Sequence, residues 1–467
     1  MDAASDPAPK PERRTPERRM PERRTAEHRT PERQTPEHRT PERRTPEHQT
    51  PEHQSAHRAA TPEQTLARLL PLLPAMGVTR VAVQTGLDTL GVPVAAAVRP
   101  NSRSLAVHQG KGLTPAAAKV SAIMEAAELF HAETCAVPLR RARPDEIGPA
   151  VDVARLPRAA GGPDPAGERL LWVEGTDLMG GARLWVPHET VHADFTLPQP
   201  AGSYVFQATT NGLGAGNTVL EAMTHALCET VERDAVALWH AAGRARDGAV
   251  DPDSVHDPAC AALLRRFAAA GVQAALWDLS RDTGPPVFLC LLVPPDGGPS
   301  GIEPELGSGC HPDPGIALSR ALLEAAQARV TRISGARDDF APESYGAAAR
   351  TGRAARARLW LAAARRRPGA FRPVGAGPTP RHDLDRILDG LHRAGCGAAV
   401  WVDLSQPALG VPVGRVVVPG LEGPYLPGTG YVPGPRARAV AGRSHPGETG
   451  SPSLSRARER AGVRAPG

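Results

Sequence analysis

The chain has 467 residues, 40% of them apolar, enough for one large α/β body or for two or three domains. Gly and Pro number 47 and 50, which predicts long irregular segments. The net charge of +5 sits almost wholly in the C-terminal end, where seven Arg from Arg436 onward oppose two Glu, so the basic pI excludes no class by itself and points to no nucleic-acid groove.

Pro11 to Ser55 is a pentapeptide array, from "PERRT" to "PEHQS". A Pro every five residues forbids a continuous helix, and with almost nothing apolar to bury the array reads as a disordered tail over residues 1–57. The folded part begins with "TPEQTLARLLPLLPAMG", a helix with Thr61 as N-cap and Pro62 in its first turn. "RVAVQT", "GVPVAAAV" and "SLAVHQ" read as strands, followed by "GKG" at Gly110–Gly112 and a helix that opens at Thr114 and Pro115. Beyond a loop at Gly161–Gly167, "LLWVEGTDL" and "RLWVPHETVHADF" read as a sheet pair. "NGLGAGN" then reads as a glycine-rich loop entering the long helix "TVLEAMTHALCETVERDAVALWH". Next come a helix near Ala259–Ala270, strands "QAALWDL" and "PVFLCLLV", a loop through Gly309, and the helix "IALSRALLEAAQARVTRISG". An Arg/Ala helix over Arg350–Arg367, a helix near Leu384–Ala394 and strands "AAVWVDL" and "VPVGRVVVPG" complete the body. Past Pro435 the composition predicts disorder. Alternating strands and helices, with strands also in groups, predict an α/β (α+β) body of mixed sheets packed with long helices.

The six cysteines stand singly, with no CxxC, and no run of 18 apolar residues occurs. This reads as a soluble cytoplasmic protein with reduced thiols and no structural zinc, membrane span or secretory signal. There is no Walker A sequence, no Rossmann glycine fingerprint and no GxSxG elbow.

Three helices share one kind of face. At 100° per residue, Glu221, His225, Glu229 and Glu232 fall within an arc of about 80°, and Ser121, Glu125 and Glu128 within about 60°. Arg320, Glu324, Gln327 and Thr331 form a similar stripe. Two carboxylates about 5 Å apart repel by roughly 3 kcal/mol at an effective dielectric near 20, and by less than about 1 kcal/mol in open water. On solvated faces the stripes would therefore mean little. If the helices converge, the acids need cations, and an oxygen-rich site suits Mg2+ shared with phosphate. Periodicity leaves both readings open. The two glycine-rich entries add anion-favouring helix N-termini. Cys228, on the edge of the acidic arc, reads as core packing, and His225 as either a ligand or a hydrogen-bonded neighbour of one.

"QGKGLTPAAAKVSAIMEAAEL", "TTNGLGAGNTVLEAMTHALCETVERDA" and "GCHPDPGIALSRALLEAAQARVTRISGARDD" together resemble the YcaO family, over residues 58–438, leaving 439–467 as a basic tail. The resemblance implies an enzyme that uses ATP and Mg2+, held between helices, to phosphorylate a peptide backbone amide oxygen. A nucleophile then adds and phosphate leaves, giving an azoline from a Cys, Ser or Thr side chain or a thioamide from a sulfide source. It implies that Ser121, Glu125 and Glu128, then Asn217, Glu221, Glu229, Glu232 and Arg233, meet nucleotide and metal. Glu125, Glu128, Glu221, Glu229 and Glu232 would face the metal, with Glu232 and Arg233 at the chemistry. Glu324, Gln327 and Arg337 match the third motif. Arg58 and Thr65 stand at the spacing of a family Lys and Ser that touch ATP, and Lys111 matches a recurrent family residue.

The segment "VPVGRVVVPGLEGPYLPGTGYVPGPRAR" resembles the stand-alone subgroup that works with a TfuA-type partner, and the end "RAGVRAPG" lacks the Pro-rich terminus of azoline-forming members. Peptide or protein thioamidation is therefore the first expectation and azoline-forming cyclodehydration the second. A non-catalytic peptide-binding scaffold is the expectation of another class, disfavoured by the intact acidic motifs. The family also implies a homodimer.

Overall fold

A computed structural model describes residues 58–243, 248–294, 303–337, 339–340, 342–364, 369–372, 379–425 and 431–442. The pentapeptide array and residues 443–467, read above as tails, lie outside them. The chain opens with helix α1 (Pro62–Leu69), which Thr61 and Gln64 close with a reciprocal capping box. Strands β1 (Arg80–Val83), β2 (Val94–Val98) and β3 (Val107–Lys111) form an antiparallel sheet in that order, and helix α2 (Pro115–Glu133) follows.

A six-stranded sheet comes next, built from β4 (Leu139–Ala142), β5 (Leu170–Asp177), β6 (Arg183–Pro187), β7 (Leu213–Ala215), β12 (Val400–Asp403) and β13 (Val413–Val417). Its order is β4-β5-β12-β13-β7, with β6 on β5. After β7 runs helix α3 (Val219–Ala242), then β8 (Ala249–Val250), α4 (Pro258–Ala269), β9 (Gln273–Asp278), β10 (Val287–Val293) and β11 (Glu305–Cys310). These last strands pair as β11-β10-β9-β8. Helices α5 (Pro314–Ser334), α6 (Ala347–Ala364), α7 (Pro380–Arg393) and α8 (Pro435–Ala441) complete the described elements. Every pair of described strands is antiparallel, so what is mixed is helices with sheets rather than strand directions.

Three sequence expectations change. "NGLGAGN" is not only a loop, because Leu213–Ala215 is a strand. The loop expected through Gly309 is strand β11. The segment just past Pro435 is helical rather than irregular. Glycine explains the first two. A Cβ on Gly214 of β7 would stand 2.4 Å from the backbone oxygen of Ala222, and one on Gly307 of β11 would stand 2.1 Å from the backbone nitrogen of Ala325. These glycines let helix and strand backbones touch, and the same residues weaken the strand signal in sequence.

β3–α2, β7–α3 and β11–α5 are thus three copies of one unit: a strand, a three-residue link and a long helix. Thr114, Thr218 and Asp313 cap the three helices, each accepting the backbone N–H three residues on. Each helix packs on the sheet of its own strand and also reaches the next sheet. α2 touches β7 and β13, α3 touches β10 and β11, and α5 touches β3, so the three units close a ring. Buried apolar side chains fill the outer faces, among them Leu227, Val231 and Trp239 of α3 against Trp277 and Leu289. The polar stripes are left for the inside.

Candidate active site

Counting each long helix from its first residue, the seventh is Ser121, His225 or Arg320, and the eleventh is Glu125, Glu229 or Glu324. The fourteenth is Glu128, Glu232 or Gln327. These places share one helix face. The fourteenth residue reaches the strand of the next unit each time. Ala215 N–H donates to Glu128 Oε1 at 2.7 Å, Ser308 Oγ donates to Glu232 Oε1 at 2.6 Å, and Gln327 Nε2 donates to Gln109 O at 3.1 Å. Convergence, the condition periodicity could not test, is therefore met.

Cations interleave with the acids. Lys111 Nζ lies 3.0 Å from Glu324 Oε2. Arg233 Nη1 lies 3.0 Å from Glu232 Oε1 and its Nη2 3.5 Å from Glu229 Oε1. They do not suffice. Burial, reinforced by Glu229 and Glu324, raises the Glu125 carboxyl to about 7 against Lys111 and Arg337. Burial, then Glu229 and Glu125, raises Glu128 to about 8. Burial and Glu232 raise Glu229 to about 7. Burial raises Glu232 too, with Glu324 adding to it. Burial also works to raise Glu324, but Lys111 and Arg233 outweigh it and hold that carboxyl below its ordinary value. Burial works against the charge on Arg233, yet Glu232, Glu229 and Glu324 together drive its pKa upward. Burial, then Arg320, Arg58, Lys111 and Arg233, holds His225 well below its ordinary value, so its 3.9 Å approach to Glu128 is that of a neutral imidazole.

A second cluster caps the start of α3. Glu221 accepts from Asn217 N at 3.0 Å, Asn217 Nδ2 at 3.2 Å, Ala59 N at 2.6 Å and Arg58 Nη1 at 3.3 Å. Thr65 Oγ donates to Asn217 Oδ1 at 2.9 Å, as does Arg68 Nη2. Arg58 and Thr65, chosen only by spacing, thus land on the two residues that open the second motif. Ser121 backs onto Gly110. Arg337 pairs with Asp339 at 2.5 Å, and its charge is felt at Glu125. Cys228 is buried in the core, as packing required.

Sequence reasoning missed Ser308 and Arg68. Ser308 stood in a segment read as a loop and carried no signal. Arg320 was on the stripe with Glu324, yet its place at the seventh position, opposite Ser121 and His225, shows only when the helix starts are known. Its Nη1 donates to Cys310 O at 2.8 Å.

The donor set suits Mg2+ with phosphate. Glu232, which is buried, and Glu125, Glu128 and Glu229, which are half-buried, are all raised by desolvation and by neighbouring acids, and form a hard oxygen surface short of positive charge. Among the described residues no three His, Cys, Asp or Glu side chains stand as a ready metal cage. A cation there would take the rest of its ligands from phosphate or water. No helix among the described residues is long and apolar enough to cross a membrane.

The profile of a family described as YcaO cyclodehydratase, ATP- and Mg2+-binding, matches residues 109–422. A protein of Rhizobium leguminosarum bv. trifolii from the tfuA 3' region is 39% identical over 389 residues, covering 78% of this chain and 88% of that protein. YcaO from Methanopyrus kandleri bound with AMPPCP and Mg2+ superposes with a TM-score of 0.61 at 27% identity, covering 78% of this chain and 92% of that one. A heterocyclase in complex with substrate and cofactor has the same fold, with a TM-score of 0.64 at 24% identity over 79% of this chain, which spans about half, 53%, of that chain's length.

Proposed function

The chain belongs to the YcaO family, and we propose that it activates a backbone amide of a peptide or protein for thioamide formation, working with a TfuA-type partner. ATP and Mg2+ are the cofactors of this family. The observation that carries the reading is the convergence of the acidic faces of α2, α3 and α5, where His225 of α3 approaches Glu128 of α2, Lys111 pairs with Glu324, and Arg233 pairs with Glu229 and Glu232. The tfuA-region relative and the likeness of the C-terminal segment to the TfuA-associated subgroup support the thioamide branch.

Bound between the helices, ATP supplies the phosphoryl group that makes an amide oxygen a leaving group, and Mg2+ the charge that balances it. In this reading Glu125, Glu128, Glu229 and Glu232 hold the cation. Glu221 already accepts from four donors, so it anchors Arg58 and Asn217 and meets a cation only where a donor lets go. Arg233, fixed by Glu229, Glu232 and Ser308, offers its outer N–H groups to the phosphoryl oxygens, and Lys111 does so from β3. Asn217, Ser121, Thr65, Arg58, Gln327 and Arg337 line the nucleotide. The protein's work is positioning and charge balance.

The test combines the purified chain, a TfuA-type partner, ATP, Mg2+, sulfide and a precursor peptide, with the product read by mass spectrometry. Exchange of one oxygen for one sulfur is expected. Loss of one water without sulfur would overturn thioamidation in favour of azoline formation.

A further inference from the structure

His225 is the residue of the acidic face to which the chemistry above assigns nothing. It stands one turn after Glu221 and one turn before Glu229, at the seventh place of α3, on the ring-facing side. Its Nε2 lies 3.9 Å from Glu128 Oε1, so it is the point where α3 approaches the acid of α2. Its Nδ1 is buried and finds no hydrogen-bond partner among the described residues. Glu128 Oε1 already accepts the Ala215 N–H at 2.7 Å.

We propose that His225 is a positioning residue for Glu128, its Nε2–H closing onto Oε1 beside the Ala215 N–H and turning Oε2 toward Mg2+. The inference rests on the reading that Glu128 faces the cation. The closure is about 1 Å, from the present separation to ordinary hydrogen-bond length. One oxygen held by two donors from different elements fixes the plane of the carboxylate, which a single backbone donor does not. Direct ligation by the imidazole is the poorer reading, because a hard cation in an oxygen-rich site takes carboxylate, phosphate and water before nitrogen. Hydrogen-bond partners of metal-binding carboxylates commonly control affinity tenfold to a hundredfold.

The test is calorimetric titration of AMPPCP, with Mg2+ and with chelator, into the intact chain and four variants whose folding is checked by circular dichroism. Gln places an amide N–H near the position of Nε2, whereas Asn places one near Nδ1. His225→Ala and His225→Asn are expected to weaken Mg2+-dependent binding roughly tenfold to a hundredfold, with binding in chelator unchanged and His225→Gln restoring most of the loss. Glu128→Gln should lose the metal dependence outright. His225→Ala binding as wild type while Glu128→Gln fails overturns the role of His225 and leaves that of Glu128 standing. Rescue by Asn and not by Gln overturns the assignment of Nε2. Glu128→Gln binding as wild type overturns the reading of Glu128, and the inference with it.

Discussion

Ser308 donates its hydroxyl to Glu232 at 2.6 Å, joining the last strand before α5 to the acidic face of α3. The bond is buried and charge-assisted, and Arg233 Nη1 lies 3.4 Å from the same hydroxyl. Ser308→Ala leaves Glu232 with Arg233 as its neighbour and removes the link between two of the three units. The expected cost is about 1–3 kcal/mol in urea unfolding, with ATP turnover reduced in parallel. Wild-type stability in that variant would show the link to be without energetic weight.

Glu232→Gln keeps the shape of the side chain and an acceptor for Ser308, but removes the charge. Arg233 retains Glu229 as a partner. The fold is therefore expected to survive, with a melting temperature close to wild type, while turnover falls by at least about a hundredfold, as when a charged transition-state contact is lost. A fully active variant contradicts the role assigned to Glu232.

Much of this arrangement is legible in the sequence. Thr61 and Thr114 announce their helices because a capping side chain followed by Pro has a local meaning. The stripes of Glu125, Glu128, Glu229 and Glu232 follow from the helical period alone. What the period cannot contain is distance between helices. The shared seventh, eleventh and fourteenth places were present as letters, but the count needs the three helix starts. Strands β7 and β11 stayed hidden because the glycines that let them touch α3 and α5 are poor strand formers, so the packing requirement overrides local propensity. Ser308 gains its meaning only from Glu232, 76 positions away.

The strand glycines carry a sharp prediction of their own. In Gly307→Ala the new methyl would stand 2.1 Å from Ala325 N and 2.5 Å from Ala321 O, both helix backbone, which cannot swing aside as a side chain can. The helix must lift from the strand, at an expected cost of about 3 kcal/mol. Gly86→Ala, with nothing within 4 Å of its Cβ, is the control and should stay within about 0.5 kcal/mol of wild type. Equal melting curves for the two variants would refute backbone contact as the reason for Gly307.

The raised carboxyls make stability depend on pH in a fixed direction. Glu128 titrates near 8 in the folded chain against an ordinary value of 4.5. Between those values the folded chain holds more protons than the unfolded one, so the contribution of Glu128 to stability falls as pH rises through the window. Glu128→Gln abolishes that contribution. Without ligand, the variant should gain on wild type as pH goes from 5 to 8, and the difference should vanish near pH 4.5. Binding of Mg2+ and nucleotide to wild type at pH 7 should release protons, seen as a dependence of the calorimetric heat on the ionisation enthalpy of the buffer. No buffer dependence would mean that the acids do not meet the cation.

The C-terminal helix gives a prediction that separates a docked element from a tail. Arg436 donates from Nε and Nη2 to Asp234 at 3.1 Å each, and from Nη2 to Asp282 at 2.7 Å. Asp234 is wholly buried and directly follows Arg233, whereas Asp282 is largely exposed. Glu422 adds a second clasp, accepting from Gly434 N, Ala437 N and Tyr431 Oη. Arg436→Gln strands a buried carboxylate, at an expected cost of about 3–5 kcal/mol, while Asp282→Asn breaks only an exposed pair worth about 1 kcal/mol or less. Burial already lifts Asp234 to about 6 against the pull of Arg436. Without the guanidinium it rises further, so the folded variant keeps its proton to higher pH and escapes part of the penalty below that range. The loss in Arg436→Gln should therefore be larger at pH 8 than at pH 5 in urea unfolding. An equal loss at both, or one no greater than in Asp282→Asn, would mean that Asp234 does not hold α8 against α3 through its charge.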